Sequence, residues 1–106
     1  MVGMRRTEVV NRIVEVVHRI VPEAQAILFG SEARGDARAD SDIDVLVLLD
    51  KPRITTEDFD NVSYPLRELG WEVGEVINPI LYTVKDWTKN SFSLFHKNVM
   101  KDGIVL

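Results

Sequence analysis

The chain has 106 residues, 45% of them hydrophobic, and no cysteine, which leaves room for one modest core over residues 1–106 and excludes disulfide frameworks, thiolate zinc sites and cysteine nucleophiles. A formal charge of −4 argues against a nucleic-acid partner, because neutralising phosphates takes a basic face. No apolar run approaches the ~20 residues that span a bilayer, and the stretch after Arg6 is broken by Arg12, Glu15 and Arg19 where a secretory signal would be continuously apolar, so a cytoplasmic protein with no membrane partner is expected.

In residues 7–21, Val9, Val10, Ile13, Val14, Val16, Val17, Ile20 and Val21 recur at spacings of three and four. That pattern predicts an amphipathic helix, with Thr7 as its N-cap and Pro22 as its stop. Residues 24–29 form a short apolar run ending in Gly30, which reads as a buried strand that enters a turn at once. Residues 31–37 read as a loop or one helical turn. The nearly all-aliphatic run 43–49 predicts a strand covered on both faces. Thr55 or Thr56 caps the next helix, since Glu57 and Asp58 fall in its first turn, where the macrodipole favours negative charge. Pro65 kinks or splits that helix, and Gly70 marks its end. Residues 75–84 are strand-like, with Pro79 pointing to an edge position or a bulge. Phe92, Phe95, Val99 and Met100 are spaced for a last helix over residues 91–101, closed by Gly103. The order helix, strand, loop, strand, helix, strand, helix implies an α/β (α+β) domain, a small mixed sheet backed by helices.

Chemistry is concentrated in two short segments, Phe29-Gly30-Ser31-Glu32-Ala33-Arg34-Gly35 and Ser41-Asp42-Ile43-Asp44-Val45. A strand ending in Gly-Ser lets the backbone turn sharply and approach a ligand, because glycine has no Cβ in the way. The N–H groups that follow and the Ser31 hydroxyl can then donate to phosphate oxygens. Asp42 and Asp44 are two apart on a predicted strand and so share a face. Such a pair is a hard, oxygen-only site suited to Mg²⁺ together with substrate phosphates. Crowding with Asp36, Asp40 and Asp50 calls for a neutralising cation. A Walker A loop is excluded because Asp36 and Ala37 stand where Lys and Ser or Thr are needed. An EF-hand is excluded because Val45 replaces its turn glycine and Lys51 its closing glutamate.

Gly30-Ser31, ten intervening residues and Asp42-Ile43-Asp44 resemble the signature of the DNA polymerase β-like nucleotidyltransferase superfamily. Ala33-Arg34-Gly35 with Ser41-Asp42-Ile43-Asp44 resembles its minimal nucleotidyltransferase (MNT) branch, which includes MntA-type antitoxins. The resemblance implies a small α/β fold, Mg²⁺ dependence and ATP as donor. It makes Asp42 and Asp44 the metal ligands and catalytic carboxylates, and Gly30, Ser31 and Arg34 the nucleotide contacts. It also implies a helical HEPN-type toxin as partner, with AMP attached to one of its tyrosines.

Family members usually carry a third carboxylate on a later strand, which takes the proton of the attacking hydroxyl. Here that strand reads Glu75-Val76-Ile77-Asn78-Pro79-Ile80. Glu75 is the expected third catalytic residue, whereas Asn78 can ligate but cannot act as a base. The missing aspartate motivates a second reading, a weak or inactive nucleotide-binding module that neutralises a helical partner by binding. Addition of a nucleotide to RNA is disfavoured by the acidic charge. Arg34 is read either as a partner of Asp36 or Asp40 or as a phosphate contact. His18, His96, Trp71 and Trp87 are expected to be structural or packing residues.

Overall fold

The computed structural model describes residues 6–35, 37–38 and 41–106. In chain order these form α1 (Arg6–Ile20), β1 (Gln25–Phe29), α2 (Gly30–Arg34), β2 (Ile43–Leu49), α3 (Thr56–Asp58), a π-helical segment (Phe59–Ser63), α4 (Tyr64–Val73), β3 (Ile77–Thr83), α5 (Val84–Lys89), α6 (Leu94–Asp102) and β4 (Ile104–Val105). The strands make one sheet in the order β3-β2-β1-β4. β1 is antiparallel to both β2 and β4, while β2 and β3 are parallel. The sheet is mixed, as the order of elements implied.

The sheet is covered on both faces, and strand alternation assigns the residues of each. Ile43, Val45, Val47 and Leu49 of β2 join Val9, Ile13, Val16 and Val17 of α1 and Leu66 and Leu69 of α4 in one cluster. Leu46 and Leu48 turn the other way and pack with Ile27, Trp87 of α5 and Val99 of α6. Two-sided burial is the reason β2 reads as an unbroken aliphatic run.

The split expected at Pro65 takes the form of the π-helical segment. Proline has no N–H, and the ladder widens just before it: the Tyr64 N–H donates to the Phe59 carbonyl, five residues back. Pro65 is the second residue of α4, which continues without a break from the π-helical segment, Ser63 and Tyr64 both being helical, so its missing N–H falls where the ladder has already widened. The end of the helix differs from expectation. α4 runs through Gly70 to Val73, and Gly74, at φ +78°, caps it. Gly70 is kept for packing, because a Cβ there would stand 2.5 Å from the Glu75 carbonyl oxygen.

Two elements have no counterpart in the sequence pattern. α5 begins where the Thr83 hydroxyl accepts from the Asp86 N–H at 3.0 Å, and it buries Trp87. β4 adds two residues to the free side of β1. Pro79 lies opposite Val45 in β3, an edge strand, where a residue without an N–H is tolerated.

Trp87 is a packing residue at 6% exposure, but Trp71 is 67% exposed and stands edge-on to exposed Tyr64. Of the four residues expected to anchor the last helix, Phe95 and Val99 face the core, and Phe92 and Met100 are exposed. Among the described residues no helix is long and apolar enough to cross a membrane.

Candidate active site

Registers across three strands place Phe29 of β1 beside Asp44 of β2, and Asp44 beside Asn78 of β3. By alternation this row lies on the face that carries α5 and α6. Asn78 Nδ2 donates to Asp44 Oδ1 at 3.1 Å. The other carboxylate oxygen, Oδ2, lies against the turn at the end of β1. A Cβ built on Gly30 would stand 2.6 Å from it, and Gly30 has φ +74°. Glycine is therefore demanded twice at this position, by the backbone and by the room the carboxylate occupies.

α2 starts without a side-chain cap, which leaves its first N–H groups for an outside acceptor. Ser31 is half-buried in that first turn. Arg34 is exposed, and with Phe29, Gly30, Phe95, Asn98 and Asp102 it lines a cavity of about 340 Å³ between the Gly30 turn and α6.

Asp42, exposed, precedes β2 by one residue and has the same parity as Asp44. The turn before it is closed by two hydrogen bonds: the Ser41 N–H donates to the Arg38 carbonyl at 3.0 Å, and the Arg38 N–H to Ser41 Oγ at 2.9 Å. Asp36 and Asp40, part of the acidic cluster in the sequence, lie outside the described residues.

Glu75 is held elsewhere. Its Oε2 is 3.3 Å from Nη2 of Arg6, the first residue of α1, whose helix covers the other face of the sheet. Of the two residues weighed for the third position, Asn78 is the one in contact with Asp44. Arg6 drew no attention in the sequence, because its partners Glu32, Arg38, Ser41 and Glu75 belong to distant segments and no local spacing links them.

The donor set is oxygen only, the type that suits a hard divalent cation. Among the described residues no group of three or more metal-ligating side chains converges. Two carboxylates with substrate phosphates and water are the usual complement for such an ion.

A profile of the nucleotidyltransferase domain matches residues 10–106, a span that includes Gly30, Ser31, Asp42, Asp44 and Asn78. The chain belongs to the nucleotidyltransferase domain family. This nucleotidyltransferase is 41% identical over 80 residues, 76% of its own length and 74% of the relative's, to a provisionally named protein adenylyltransferase of Methanocaldococcus jannaschii. Among solved structures it is similar to a provisionally assigned minimal nucleotidyltransferase, with a TM-score of 0.67, 24% identity and 97% of each chain covered. It is also similar to a toxin-antitoxin crystal structure with AMP-PNP, with a TM-score of 0.60, 19% identity, 90% of this chain and 69% of that one covered. At those identities the structural likenesses establish the nucleotidyltransferase fold. The enzyme class, a nucleotidyltransferase, follows from the family.

Proposed function

We propose that this nucleotidyltransferase acts as one minimal cytoplasmic domain that transfers AMP from Mg-ATP to a hydroxyl of a protein partner. The observation that carries the reading is the packing of the Asp44 carboxylate against the Gly30 turn, where a Cβ would stand 2.6 Å away. That contact brings a metal-ligating oxygen to the point where the uncapped N–H groups of α2 begin. Asp42 and Asp44 hold the cation, Gly30 and Ser31 present donors to the phosphates, and Arg34 contacts the triphosphate from the end of α2. Mg²⁺ at this pair would neutralise the charge that develops on the pyrophosphate.

In the reaction the acceptor oxygen bonds to the α-phosphorus, the bond to the bridging oxygen breaks, and pyrophosphate leaves. The acceptor proton must go elsewhere than to Asn78, since a neutral amide is no base. The acceptor is a tyrosine of a helical HEPN-type toxin, and AMP on that tyrosine makes this chain an antitoxin. The name of the archaeal relative supports a protein acceptor and the toxin-antitoxin assembly with AMP-PNP supports a toxin as that partner; the HEPN type and the tyrosine are taken from the resemblance of the sequence motifs.

Asn78 beside Asp44 also favours a second reading, in which the chain binds nucleotide and neutralises the toxin by contact alone. Incubation with labelled ATP, Mg²⁺ and the product of the adjacent gene separates the two. Tyrosine-linked AMP on the partner, absent with Asp42→Asn and Asp44→Asn, supports the enzyme. Tight association without modification supports the binding module. Normal transfer by both variants would remove the metal site from the account.

A further inference from the structure

We propose that Arg6 is a positioning residue of this nucleotidyltransferase, holding the turn that carries Asp42 against α2 and the entry to β3 and so setting the metal affinity of the Asp42–Asp44 pair. The inference rests on the reading of those aspartates as metal ligands and concerns a residue that this reading leaves out.

One guanidinium reaches four residues in three pieces of chain. Nη2 donates to the carbonyls of Arg38 and Ser41, both at 3.0 Å. The same nitrogen is 3.3 Å from Glu75 Oε2, and Nη1 is 3.4 Å from Glu32 Oε1. A planar fork with five N–H donors can serve several acceptors in fixed directions, which an ammonium group cannot do. Among the described residues, these contacts join the residues just before Asp42 to α2 and to the chain entering β3.

The Ser41 carbonyl belongs to the peptide unit that continues into the Asp42 nitrogen. Its hydrogen bond to Arg6 therefore fixes the backbone on one side of Asp42. On the other side the Ile43 N–H donates to the Val76 carbonyl at 2.8 Å. Asp42 is suspended between these two anchors, and Asp44 follows on the rigid part of β2. Loss of Arg6 releases one anchor and leaves the other.

The Glu32 and Glu75 side chains are 13% and 19% exposed, so without Arg6 two poorly hydrated carboxylates would stand uncompensated beside the start of α1; that negative charge by itself attracts a cation, so the weaker metal binding expected on losing Arg6 comes from the lost anchor and not from charge. α1 has its own hold on the fold through buried Val9, Ile13, Val16 and Val17, which lets the role of Arg6 be tested apart from the helix.

The test measures Mn²⁺ binding in the presence of a non-hydrolysable ATP analogue, and the Mg²⁺ dependence of transfer, for the wild type, Arg6→Ala and Arg6→Lys. Residues that orient metal ligands without touching the metal typically contribute about 10–100-fold in affinity, and Arg6→Ala is expected to raise the metal requirement by that amount. At saturating metal its kcat should fall by less than about threefold, and added guanidinium ion should restore part of the affinity. Arg6→Lys keeps the charge and loses the fork, so it should lie between the two. Should the alanine variant fail to fold, the lysine variant and its Mn²⁺ titration decide. A metal dependence equal to wild type in the folded variants, or a fall in kcat alone, overturns the proposal. Asp42→Asn is the control: if it still binds metal, the reading of the site has failed, and if it does not while the Arg6 variants bind normally, only the role of Arg6 has failed.

Discussion

Asn78 on β3 donates its side-chain N–H to Asp44 on β2 at 3.1 Å, with the two residues paired in the parallel register. This hydrogen bond puts an amide at the β3 position opposite the carboxylate. Asn78→Asp would place a second carboxylate there, which a cation must neutralise. Transfer at saturating metal is expected to rise by about 10²–10⁴, the usual worth of a general base, with a steeper metal requirement. Initial rates with labelled ATP check this. An unchanged rate would mean that the proton leaves by a route independent of position 78.

Gly30→Ala should damage both stability and the site. A left-handed non-glycine residue costs about 1–2 kcal/mol, and the new Cβ would displace Asp44 Oδ2, 2.6 Å away. Gly74→Ala is the matched control, since Gly74 has φ +78° and nothing within 4 Å of its built Cβ. Urea midpoints are expected to fall in both variants, and nucleotide-dependent Mn²⁺ binding only in Gly30→Ala.

Asp58 makes part of the stability depend on acid. Burial raises its pKa, but the Lys51 ammonium at 2.7 Å, the Thr55 N–H at 2.7 Å and the Thr55 hydroxyl at 3.1 Å outweigh burial and hold the carboxyl below its ordinary value. The unfolded chain takes up this proton first, near pH ~3.9, so stability rises with pH through the interval between the two values. The contribution is full above the unfolded value and is lost as pH falls through the folded one. Asp58→Asn should cost about 0.5–2 kcal/mol near neutrality, and the gap to wild type should narrow in urea titrations as pH falls below the unfolded value of ~3.9.

The two tryptophans should separate cleanly. Trp87→Ala empties a buried position at 6% exposure and should cost about 3–5 kcal/mol. Trp71→Ala removes a ring that is 67% exposed, for which about 0.5 kcal/mol or less is expected. Iodide should quench Trp71 and spare Trp87, and loss of quenchable emission in the Trp71 variant checks the assignment.

Much of the fold was legible because it rests on local period. α1 repeats at helical spacing, β2 is aliphatic on both faces, and the Gly30-Ser31 turn and the Asp42–Asp44 pair are short-range patterns whose geometry follows from strand alternation. α5 and β4 were hidden by length. Six and two residues carry too little periodicity to register, and each exists because the sheet offers it a surface or an edge. The π-helical segment and the true end of α4 depended on how one helix meets Pro65 and the chain entering β3.

Residue types and spacing alone determined that an acidic pair follows a glycine-serine turn, and that one aspartate usually found on a later strand is missing. Tertiary structure decided which of the two candidate side chains, Asn78 or Glu75, contacts Asp44. Nothing in the order of letters says that β3 pairs parallel to β2 with Asn78 opposite Asp44, or that Glu75 is drawn to Arg6. Those are contacts between residues far apart in the chain, set by strand register and by the docking of α1, and they exist only once the whole sheet is assembled.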